Sequence, residues 1–152
     1  MGEWRRLRFR KRQRRYTVDV DHYRAMQADL DERPLIGRTG RTLGVRVPRD
    51  IAPDHDGIVH PSRGGMSVAP SSVWNVPNHR RPHEMGRGST GPSRDRIYSI
   101  GDELAVVGLL VVRSDPGAPS RHAFVEPSQA MPLEHYEQAL VSTRPAWRQA
   151  WP

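Results

Sequence analysis

Cysteine is absent from all 152 residues. Disulfides and thiolate metal sites are therefore excluded, which suits a reducing cytosol. No apolar run approaches the ~20 residues needed to span a membrane. Lysine is almost missing too, since 23 of the 24 basic residues are arginine. The N-terminus is positively charged with no hydrophobic stretch behind it, so it does not read as a secretory signal. Hydrophobic residues make up only 36% of the chain and mean hydropathy is −0.74. That is lean, yet the length and composition still allow one domain with a real core. What the chain has in quantity is 13 glycines and 14 prolines. Loops should be many and regular elements short.

The net charge of +7 is not spread evenly. Residues 1–15, "MGEWRRLRFRKRQRR", hold eight of the 24 basic residues and one of the 17 acidic ones, which leaves sixteen of each in the other 137 residues. The body, 16–152, is neutral and is read as the folded domain. The leader, 1–15, could grip nucleic acid or an acidic partner, or be a solvated tail.

Alternation in "YTVDVDHYRAMQ" puts Tyr16, Val18, Val20, His22 and Arg24 on one face of a strand. Its apolar face thus ends in an arginine directed inward, which should meet an acid, a ligand phosphate or the edge of a cleft. A short helix is expected from Ala25 to Glu32, closed before Pro34. One strand is expected around Leu43, Val45 and Val47, and a mobile, low-complexity loop over 77–96. The valine-rich run Leu104–Val112 reads as a buried strand bent at Gly108, paired in a hairpin with "RHAFVEP". Pro132 then opens a helix with Leu133, Tyr136 and Leu140 on one side, and Trp147 and Trp151 dock a short tail. The fold class is α+β, with short mixed or antiparallel strands and few helices.

Taken singly, the chemical motifs are weak. His79 and His83 are four apart but Pro82 lies between them, which argues against a helical metal site, and none is expected. Ser67 lacks the glycine two positions later that a nucleophile elbow requires. Gly64 and Gly65 could let the backbone approach a phosphate, although no Walker pattern follows. Alternation after Met66 sends Ser67 to the face opposite Met66 and Val68, and that face is expected to line the cleft holding Arg24.

Four segments, "HYRA" (22–25), "DGIVHPSRGGMSV" (56–68), "LLVVRSD" (109–115) and "RHAFVEPSQAMPLEHYEQAL" (121–140), together resemble a family. It is that of the bacterial type VI secretion effector toxins related to ADP-ribosyltransferases, which have fungal relatives. The resemblance implies an ADP-ribosyltransferase-like fold, NAD as substrate, and a toxin that inhibits growth. It implies catalytic roles for Arg24, Ser67 and His122, and NAD contacts from Tyr23, Arg24, Gly64, Gly65 and Ser67. It also implies a cognate immunity or antitoxin protein and action in the cytoplasm, whether or not after export into a neighbouring cell. The chain departs from the pattern at Met66, where the family has threonine, and at Ala123, where an aromatic is usual. Glu126 is left between a catalytic glutamate and a solvated strand-end carboxylate.

Two other classes stay open. One is a non-enzymatic module whose leader binds nucleic acid or an acidic protein, and the other is a relative that keeps the fold without catalysis. On the toxin reading, Arg24→Ala should abolish activity while the chain still folds. The acceptor of ADP-ribose is not specified.

Overall fold

A computed structural model of the chain describes residues 20–152, so the basic leader and the first residues of the expected opening strand lie outside it. Strand β1 (His22–Gln27) lies in the middle of a six-stranded sheet, with β3 (Met66–Pro70) on one side and β4 (Asp95–Ile100) on the other. Beyond β4 comes β8 (Arg148–Trp151), and beyond β3 come β6 (Ala123–Pro127) and β5 (Leu110–Ser114). All neighbours are antiparallel. A separate two-stranded ribbon joins β2 (Ile58–Val59) to β7 (Met131–Pro132). This is an α+β architecture of mostly antiparallel strands.

The sheet is not evenly knit. β1 pairs with β4 along its whole length, from His22 opposite Ile100 to Gln27 opposite Asp95. With β3 it pairs only at His22–Pro70 and Tyr23–Ala69. Past that point β1 and β3 separate, although β3 runs on beside β6 from Val68 opposite Ala123 to Met66 opposite Val125.

Each face of the sheet buries its own apolar layer. Met26, Tyr98 and Ile100 share a core with Met66, Val68, Leu110 and Val125. Closing it are Leu43, Val45 and Ile51 from the connection after β1, and Tyr136, Ala139 and Leu140 from helix α2 (Leu133–Ser142). The opposite face holds Ala25, Ala69 and Ile97 beneath Val76, with Tyr23 packed against them. Tyr136 ties α2 to β3 and β6 at one atom. Its hydroxyl donates to the Val125 carbonyl at 2.5 Å and accepts from the Met66 amide at 3.1 Å. Burial pushes that hydroxyl's pKa well above the usual tyrosine value.

Several expectations need correcting. There is no helix over 25–32. The chain stays extended through Gln27 because every residue of β1 has a partner on β4, and it then turns tightly, with Glu32 at φ 68°. Leu43 and Val45 are core residues in irregular backbone, with Leu43 joined to Ile36 by an isolated bridge. The run 104–112 divides into a one-turn helix α1 (Glu103–Val106) and β5, separated by Gly108 at φ 73°. The segment 77–96 is organised around Arg81, which is only 5% exposed. Its guanidinium donates to Ser89 Oγ, Asn78 Oδ1 and the carbonyls of Trp74, Val76 and Arg87. Trp151 packs against the Ala25–Ile97 layer as part of a paired edge strand, and Trp147 is buried as expected.

Candidate functional site

A cleft of about 220 Å³ opens where β1 and β3 part. The connection 40–50 forms one wall and residues 76–80 another, with His122 at the start of β6. Four sequence-predicted residues, Tyr23, Arg24, Ser67 and His122, line it. Gly64 and Gly65 do not.

The two glycines answer to packing. Gly64 sits at φ 100°, and a side chain there would run into the Asp50 carbonyl. A Cβ on Gly65 would strike the Val125 carbonyl, with the Tyr136 hydroxyl 3.2 Å away. They let the backbone approach protein, not the cleft.

Arg24 is 7% exposed and meets no acid directly among the described residues. Its Nε donates to the Thr42 carbonyl at 3.1 Å, and its Nη1 donates to the Ser67 carbonyl at 2.8 Å. Nη2 is shared among the carbonyls of Thr39, Thr42 and Gly44. The guanidinium thus fills the gap that the missing β1–β3 pairing leaves, and pins the 39–44 turn to β3. Burial, reinforced by Arg80 and Arg46 and opposed by Asp50, pulls its pKa down to about 10. It remains a cation at neutral pH.

Strand parity puts Arg24 and Ser67 on opposite faces of the sheet, because directly opposed residues share a face and Tyr23 is opposite Ala69. The expected common face is therefore corrected to a common gap. Arg24 reaches Ser67 through the backbone carbonyl, and the Ser67 hydroxyl makes no hydrogen bond among the described residues.

Three groups that sequence reasoning passed over complete the lining. Arg46 and Asp50 form a two-pronged ion pair, with Nη2 to Oδ1 at 2.9 Å and Nε to Oδ2 at 3.1 Å. Their i,i+4 spacing was the available signal. The Arg80 guanidinium makes no hydrogen bond among the described residues, although its backbone amide donates to the Pro77 carbonyl, and burial and the nearby Arg46 hold its pKa below the ordinary arginine value. Nothing in "HRRPH" distinguishes this free cation from its neighbour Arg81, the loop's anchor. Among the described residues Asp50 is the one carboxylate in the lining, against three guanidinium groups. Such a site favours an anion.

The match to known proteins follows this geometry. A family model described as "Tse2 ADP-ribosyltransferase toxin" matches residues 20–151. The chain belongs to that family. Comparison with curated proteins finds no match. Membership in the Tse2 ADP-ribosyltransferase toxin family supports the α+β fold and a toxic, ADP-ribosylating role, and NAD is the substrate such a family implies. Among the described residues no helix is long and apolar enough to cross a membrane.

Glu126 stands apart from the lining. It is 1% exposed, so it is not the solvated strand-end carboxylate that was one of its two readings. Oε1 accepts from Arg113 Nε at 2.9 Å, while Oε2 is buried with no partner among the described residues.

Proposed function

We propose that this cleft binds NAD and that the chain moves its ADP-ribose to an acceptor or to water, halting growth of the cell in which it acts. The cationic gap between β1 and β3 carries the reading. Arg80, buried enough to disfavour its own charge and lacking a hydrogen-bond acceptor among the described residues, is stabilised by an anion such as a pyrophosphate. Tyr23 and His122 supply ring walls, and Ser67 a free hydroxyl, for the nicotinamide ribose side. At about 220 Å³ the cleft is smaller than the roughly 300–1,000 Å³ of a drug-sized pocket, so one half of the dinucleotide would enter and the other lie outside. A toxin of this kind needs a neutralising protein in the cell that makes it, and an acidic surface on that partner would suit the leader.

Inducible expression with measurement of growth and cellular NAD tests the reading. Growth should stop as NAD falls or ADP-ribose appears on a macromolecule, and deletion of residues 1–15 should preserve NAD consumption. Arg80→Gln should raise KM for NAD by about 10-fold, the worth of one charge-assisted contact. High-level expression with neither growth arrest nor NAD loss would overturn the proposal.

A further inference from the structure

His122 does not stand alone in the cleft wall. Its Nδ1 lies 2.9 Å from Asp115 Oδ2. Asp115 is itself fixed at the tip of the β5–β6 hairpin, where its amide donates to the His122 carbonyl and its Oδ1 accepts from the Gly117 amide. The His122 amide donates to Ala118, which closes the turn. The imidazole is also set edge-on to Phe124, with centroids 4.6 Å apart and planes at 78°. Two contacts therefore hold the ring from different sides.

An aspartate beside a histidine is not by itself informative, and the molecule carries its own control. His60 and Asp54 are also 2.9 Å apart with similar exposure. That pair lies outside the cleft, and it occupies the ring's outer nitrogen, Nε2. In His122 the inner nitrogen is taken. Nε2 is left without a hydrogen-bond partner among the described residues, on a ring that lines the cleft. An aspartate accepting from Nδ1–H fixes the tautomer in which Nε2 is a lone-pair acceptor.

We propose that Asp115 is a positioning residue that holds His122 so that Nε2 accepts the proton of the incoming nucleophile, an acceptor hydroxyl or water. The inference rests on the NAD reading above. In the step, the nucleophile's oxygen bonds to C1′ of the nicotinamide ribose as the C1′–N bond breaks. That bond's electron pair neutralises the pyridinium, so nicotinamide leaves uncharged. The nucleophile's proton moves to Nε2, and the resulting imidazolium is balanced by the Asp115 carboxylate. The His122 hydrogen bond and the Gly117 amide already hold that carboxyl below the usual range, which keeps it ionised for this role.

Nicotinamide release by the purified full-length chain, with kcat and KM resolved separately, decides the matter. Asp115→Asn keeps an oxygen for the Gly117 amide but faces His122 with a neutral group. It should lower kcat by about 100-fold, the lower end of general-base catalysis, with KM within about twofold. His122→Gln should lower kcat at least as much, and the double variant should be no worse than His122→Gln alone, since the two residues act as a unit. Asp115→Glu should recover part of the rate, and His60→Gln should match the wild type. An active wild type with Asp115→Asn equally active overturns the dyad and leaves NAD use intact. So does an Asp115→Asn variant whose KM and melting temperature change together with no recovery in Asp115→Glu, since that marks a structural contact. A wild type that releases no nicotinamide overturns the NAD reading and this inference together.

Discussion

Truncating Arg24 should destabilise the fold markedly, whatever it does to the chemistry. The side chain donates to four backbone carbonyls, those of Thr39, Thr42, Gly44 and Ser67. The Thr39 carbonyl keeps the Thr42 hydroxyl as a donor at 3.3 Å, so three acceptors are stranded at about 1–3 kcal/mol each, or roughly 3–9 kcal/mol together. Arg24→Ala opens room for water beside an existing cleft and removes a buried cation, so the low end applies, about 3 kcal/mol. That is a large share of the 5–15 kcal/mol that holds a typical domain folded. At roughly 3–4 °C per kcal/mol for a chain of this size, the melting temperature should fall by about 9–12 °C. Arg24→Lys brings a point charge in place of a planar fork and should recover less than about half of this. Thermal unfolding of the three proteins by circular dichroism gives the measurement. NAD consumption should be compared only at a temperature where all three are folded. An Arg24→Ala protein melting within about 2 °C of the wild type yet inactive would refute the reasoning, because the arginine's donors would then serve a ligand rather than the 39–44 turn.

Other outcomes follow from single contacts. Ser67→Ala should leave stability within about 0.5 kcal/mol of the wild type, because Arg24 is held by the backbone carbonyl; any loss of NAD turnover then belongs to the hydroxyl. Tyr136→Phe strands the Met66 amide and the Val125 carbonyl and should cost about 2–4 kcal/mol in urea unfolding; a change under about 0.5 kcal/mol would count against the tie between β3 and β6. Asp54 is held down to about 2 by the His60 hydrogen bond, then by the Ile58 amide. A carboxyl depressed in the folded state stabilises above its unfolded value, near 3.8, and that contribution is lost as pH falls from there toward about 2. Asp54→Asn should therefore flatten the fall of the urea midpoint between pH 4 and pH 2, and an unchanged slope would sink the assignment.

Much of the scaffold is legible in the residues. Val-rich β5, the "DPGAP" turn and β6 announce a hairpin, and Pro132 with Tyr136 and Leu140 announces α2. Local pattern failed where distant partners decide. "AMQADLDE" has helical residues, but Ala25 and Met26 face Ile97 and Arg96 across a ladder set by residues seventy positions away. Leu43 and Val45 alternate like a strand, yet only Leu43 is bridged, to Ile36, and both owe their place to burial in the core. Within the site, motif order singled out Tyr23, Arg24, Ser67 and His122, and these four line one cleft. The use of Arg24 was not, because an inward arginine is equally satisfied by carbonyls, and sequence does not show where those lie. Arg80 and Arg81 make the same point, being identical neighbours with opposite roles.

The strand order also governs how the protein must be made. β1 is central, and its ladder partners on β4 come 68 to 78 residues later. No local hairpin can nucleate it, so loop closure precedes reward, and folding should fall in the slow millisecond-to-second range of non-local β topologies. The cleft draws on residues from 23 to 122. A polypeptide ending before residue 122 therefore lacks both His122 and the β6 neighbour of β3, and no contiguous fragment short of that span holds the complete lining.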